Sequence, residues 1–146
     1  MDSSSRPAMA PSALGRPNAI RTAALVAFVW LLAAVPFAVG AIRCPTARLL
    51  HFPCPGCGMT RAFVLLAAGD VGASLAMHPL AVPTALSQAA LAAATIAASL
   101  RFGAPWLLVR ARWGRAVVAL VAIVVAGDLL LWTARALGAF GGPVTV

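Results

Sequence analysis

The chain has 146 residues, 62% of them hydrophobic and only 10% charged, with a formal net charge of +8 at pH 7. That length gives one domain as the default, and the shortage of polar groups excludes an ordinary soluble domain in favour of an integral membrane protein. All eleven basic residues are arginines, placed at the ends of apolar runs where cations meet lipid headgroups, so the basicity points away from nucleic acid.

Residues 1–18 hold three serines in a row, three prolines and two arginines, which reads as a disordered cytoplasmic tail. Residues 19–42 have no charge after Arg21 and suit a first spanning helix, with Pro36 expected to kink its far end. A polar loop, 43–61, carries all three cysteines. Residues 60–69 read as a short helix, with Thr60 capping its first amides and Gly69-Asp70 ending it. It is too short to span and has an apolar run, so it is expected to lie in the interface or to re-enter the bilayer. Residues 70–78 read as a mildly apolar connector, with Asp70 able to cap the segment from Val71.

The second span is placed at 79–100, where Pro79 and Pro83 fall in the first turns and many alanines and serines suit close helix packing. A loop over 101–115 carries four arginines with Trp106 and Trp113 as interface anchors, and 116–137 form the third span. The membrane domain thus covers 19–138, and 139–146 form a tail. The expected fold is all-α and integral to the membrane, with three transmembrane helices plus the short helix that follows the cysteine loop.

Seven arginines fall on the side of the N-terminal tail and the 101–115 loop; Arg43, Arg48, Arg61 and Arg135 fall on the other. The positive-inside bias then puts the N-terminus in the cytoplasm and the cysteine loop outside, in what composition suggests is a bacterial inner membrane.

Three patterns carry the chemistry. Cys54-Pro55-Gly56-Cys57-Gly58 has the shape of a metal knuckle: proline and glycine turn backbone amides toward the first sulfur, and Gly58 takes a positive φ. A full site would need Cys44, Cys54, Cys57 and His51 or His78 around zinc or iron, and a second knuckle is absent. The same CxxC before a helix N-terminus suits thiol–disulfide exchange, with Arg61 favouring thiolate. The third reading is a static disulfide from Cys44 to Cys54 or Cys57, leaving one thiol over.

Asp128 stands inside the third span, roughly 12 Å from its outer end at 1.5 Å per residue, where a carboxylate is expected to be paired. Arg61 is the expected partner. His78-Pro79, at the entry to the second span, reads as a capping or headgroup-facing residue or as a metal ligand.

Cys44-Pro45, then Cys54-Pro55-Gly56-Cys57-Gly58-Met59-Thr60-Arg61-Ala62, then Gly69-Asp70, Ala76 and His78-Pro79 together resemble a bacterial membrane family known as domain of unknown function 2752, over about residues 40–85. The resemblance implies a small membrane protein and singles out these motif positions; it supplies no substrate, cofactor or reaction. Two functions from different classes therefore stand: a cysteine-fixed outward platform for a partner membrane protein or a second copy, and a membrane thiol–disulfide redox protein. A transporter component is a weaker third reading, because three spans with one acidic group make little pathway.

Overall fold

The computed structural model describes residues 16–39 and 58–137, and every described element is helical. Cys44, His51, Cys54 and Cys57, most of the N-terminal tail and the C-terminal tail lie outside the described residues. Helix α1 spans Arg16–Ala38, α2 Met59–Ala67, α3 Val71–Met77, α4 Ala81–Phe102, and α5 Arg112–Ala136; a 3-10 helix at Pro105–Arg110 joins the last two. Three of these are long and apolar enough to cross a membrane: Asn18–Pro36, Ala81–Phe102 and Arg112–Arg135.

Helix α4 is the centre. It packs against α1 on one side and α5 on the other, and the α2–α3 pair and the 3-10 helix also rest on it. Helix α5 runs antiparallel to it, since Val117 packs near Ala94 and Ala98 while Asp128 meets Thr84. The Trp30 indole N–H donates to Thr95 Oγ1 at 3.0 Å, fixing α1 against α4. The Thr84 hydroxyl donates to Asp128 Oδ2 at 3.0 Å, fixing α5.

The interior is built from small side chains. Ala62, Ala81 and Ala98 are fully buried, and the largest fully buried side chains are Ser74, Ser87 and Ser99. Bulky groups point outward: Phe28, Leu32, Ile123 and Leu130 are each more than 60% exposed. This inversion of the water-soluble pattern is what lipid demands, because lipid gives Leu no reason to hide and small residues let backbones approach closely.

A tight approach lies between the 3-10 helix and α5, where a Cβ on Gly114 would overlap the Leu108 carbonyl. Leu108 is itself buried against Ala94 and Ala98 of α4, with Leu91, Phe102 and Val117 around it. The segment expected as a loop over 101–115 is thus mostly helical. Gly103, at φ 78°, closes α4 by donating to the Ser99 carbonyl; the chain then turns through the 3-10 helix and enters α5 four residues earlier than anticipated.

At the other end, α4 begins at Ala81 rather than Pro79. Pro79 and Leu80 form a turn in which the Ala81 N–H donates to the His78 carbonyl at 3.0 Å. Pro83 does fall in the first turn, where a missing amide donor leaves no intrahelical bond unmade.

Candidate functional site

The candidate site is the α2–α3 hairpin and the polar groups that it places against α4 and α5. Gly58, the last residue of the cysteine motif, is the N-cap of α2 at φ 92°, the left-handed conformation that glycine alone adopts without strain. A Cβ there would stand 3.7 Å from the Met77 carbonyl oxygen, so the launch point of α2 rests against the end of α3. The expected positive φ at Gly58 is therefore present, but the expected cap is not. Thr60 lies inside α2, and no side chain caps that helix. The physical reason is the start position: the cap position is Gly58, so the Thr60 hydroxyl sits two residues too late to reach forward to the first free amides.

Gly69, at φ 84°, ends α2: its N–H donates to Leu66 and the Asp70 N–H to Leu65. Asp70 then caps α3 by accepting from the Ala73 N–H at 2.9 Å. A seven-residue helix therefore replaces the connector expected at 70–78. The Ser74 hydroxyl donates to the Ala62 carbonyl at 2.8 Å with both residues fully buried, which clamps α3 to α2.

His78 follows directly as the C-cap of α3, its N–H donating to the Ser74 carbonyl. It does not face headgroups. Its side chain is 2% exposed, and its Nδ1 has no hydrogen-bond partner among the described residues. Burial pushes the imidazole below its ordinary pKa of 6.5; the charge of Asp128 opposes that shift and the charge of Arg135 adds to it. Both charges come from α5, so the α3–α4 turn lies near the C-terminal half of α5. Leu80, packed 3.5 Å from where a Gly127 Cβ would stand, marks the same meeting.

Asp128 is half-buried, takes the Thr84 hydroxyl on Oδ2, and leaves Oδ1 buried without a partner. The ion pair expected with Arg61 does not form; Arg61 is exposed on α2. A hydroxyl on the neighbouring long helix, directly across from the carboxylate, supplies the bond that a cation on the short helix was expected to supply. The members of the site are thus His78, Thr84, Asp128 and Arg135, of which Thr84 is absent from the sequence reading. Its signal was available: in antiparallel spans a hydroxyl near the start of one helix faces the end of the next. Among the described residues no group of three His, Cys, Asp or Glu side chains is placed to hold a metal ion.

The buried imidazole has a consequence for acid stability. A base whose folded pKa lies below its unfolded value of 6.5 leaves the unfolded chain holding more protons at acid pH, so stability is full above that value and falls as pH drops through it. Thermal unfolding of the detergent-solubilised protein should therefore show a midpoint that declines below about pH 6.5. His78→Gln, which cannot gain the charge, should flatten that decline; an unchanged acid limb in the variant would remove His78 as its source.

The fold and site define a class: a small, three-helix membrane-type protein whose central helix carries a capped helical hairpin at one end. Residues 44–97 match the model of a family described as "Protein of unknown function (DUF2752)". That segment contains the cysteine motif, both hairpin helices, His78 and Thr84, whereas Asp128 and Arg135 fall outside. No curated protein and no solved structure matches the chain.

Proposed function

We propose that the chain is a multi-pass protein of the cytoplasmic membrane whose hairpin holds the cysteine loop on the outer face as a rigid platform for a partner membrane protein or a second copy. The observation that carries this reading is the seat of Gly58. Its left-handed cap abuts the Met77 carbonyl, on a hairpin clamped by Ser74 and Ala62, so the residue that follows Cys57 is fixed to the folded body. The nine-residue α2 is too short to cross a bilayer and lies in the interface or re-enters. Orientation rests on the arginines: Arg21 and the four of 101–115 cluster at one end of the bundle, which the positive-inside bias assigns to the cytoplasm. Cys44, Cys54 and Cys57 hold the loop by a disulfide, or by zinc or iron with His51 or His78 as fourth ligand.

Redox exchange is the second reading, and the start of α2 favours it. Helix geometry begins two residues after Cys57 in the sequence, and a thiol held at the positive end of a helix dipole is the more easily ionised.

One set of measurements separates the two. A membrane-impermeant maleimide applied to intact cells after reduction should label the cysteines; labelling only after lysis would reverse the topology. With a photo-crosslinker at Pro55, native membranes should give a discrete adduct that Gly58→Ala, strained at φ 92°, abolishes. An adduct indifferent to Gly58→Ala would sink the platform. A mixed disulfide trapped by Cys57→Ser and missing from Cys54→Ser would establish exchange instead.

A further inference from the structure

We propose that the groove between α1 and α4, at the end opposite the hairpin, binds an anionic phospholipid, with one acyl chain in the groove and the headgroup on the arginines at its mouth. The groove has a volume of about 280 Å³ and is lined by Leu25, Val26, Val29, Trp30, Thr95 and Pro105. Its wall is almost wholly apolar. The one polar pair within it is already satisfied, since the Trp30 indole bonds Thr95 Oγ1, and Thr95 in turn donates to α4 carbonyls. No hydrogen-bonding ligand is invited, then, and a site this size lies just below the roughly 300–1,000 Å³ that encloses a whole drug-like molecule. It suits a segment of hydrocarbon.

Charge selects the headgroup. Arg21 stands one turn from Leu25 on the same face of α1 and is exposed. Pro105, which lines the groove, opens the 3-10 helix that ends in exposed Arg110. Arg101, Arg112 and Arg115 are exposed at the same end. The described carboxylates are elsewhere: Asp70 caps α3, and Asp128 bonds Thr84 near the start of α4. An apolar slot beneath an unopposed cluster of cations is complementary to a lipid that is hydrocarbon at one end and negative at the other. Arginine further suits a phosphate through its paired donors. This inference is independent of the chemistry of the three cysteines.

Native mass spectrometry of the full chain, released from detergent with equimolar phosphatidylglycerol and phosphatidylcholine of identical acyl chains, tests it. One phosphatidylglycerol should be retained in preference to phosphatidylcholine, and each of Arg21→Ala and Arg110→Ala should reduce that preference about fivefold, the weight of one basic group at an anionic surface. Val29→Trp, at a position already 62% exposed, should fill the slot and lose the adduct with the arginines intact. A second readout does not depend on that variant. Phosphatidylglycerol brominated on its acyl chain should quench tryptophan fluorescence more than brominated phosphatidylcholine, and Trp30→Phe should remove the difference. Equal retention of the two lipids would overturn the proposal. So would a phosphatidylglycerol preference that survives Val29→Trp together with quenching that survives Trp30→Phe, which would put the lipid on the basic surface and not in the groove.

Discussion

Gly114→Ala is expected to destabilise the detergent-solubilised protein by about 3 kcal/mol, the upper end of what one inserted methyl does in a packed interior. The added Cβ would occupy the position of the Leu108 carbonyl. That obstacle is backbone, and it belongs to a 3-10 helix that is pinned by the burial of Leu108 against Ala94 and Ala98. No side-chain rotation relieves the overlap, so the 3-10 helix must lift away from α5 and uncover the cluster beneath it. Gly127→Ala is the internal comparison. Its Cβ would meet Leu80 Cδ1 at 3.5 Å, an ordinary contact, and alanine is the better helix former. A chain that tolerates the change at 127 and unfolds with the change at 114 would locate the tight interface. Equal tolerance at both would mean that the 3-10 helix is not fixed where it lies.

The second large effect is expected at Thr84 and Asp128. Thr84→Val removes the one donor on Asp128 Oδ2 while Oδ1 already has none, so the carboxyl would be left wholly unpartnered. The loss should be about 1–3 kcal/mol, because an unsatisfied buried polar group loses its solvation with no return. Asp128→Leu in the same chain should recover most of that loss, since replacing both partners by apolar groups of similar size removes the need for the bond. Chemical unfolding of the two single variants and the double gives the coupling directly. Simple addition of the two losses would show that the hydroxyl and the carboxyl do not act on each other.

The three long helices were legible because length and unbroken apolar character are properties of the local chain. Their ends were less so. Pro79 reads equally well as the first residue of a helix or as the turn before one, and the choice was made by the Ala81–His78 bond, which needs the whole turn in place. Gly69 was readable as a stop, and its left-handed backbone agrees; Gly103, which closes α4 in the same conformation, was not anticipated. Helix α3 was missed because seven residues carry too little periodic signal, although its cap, Asp70, was recognised.

The site was legible by residue type and not by partner. Asp128 announced itself as a carboxyl in an apolar run, but its partner was chosen by opposite charge and not by position along the neighbouring helix. His78 gave no sign of being buried, since that depends on how the α3–α4 turn docks on α5. Gly58 was read correctly, because a positive φ is a demand of the motif itself. The cysteines lie outside the described residues, and their chemistry stays with the labelling and trapping experiments above.

Helix α4 carries its own hydrogen-bond partners. Ser87 donates to the Thr84 carbonyl, Thr95 to those of Leu91 and Ala92, and Ser99 to that of Thr95. These hydroxyls are therefore satisfied within the helix itself, in the least apolar of the three long helices, and need no other helix for a partner. Thr84 is the exception, since its hydroxyl donates to a helix that emerges more than forty residues later. The Thr84–Asp128 bond therefore fixes the register of α5 along α4.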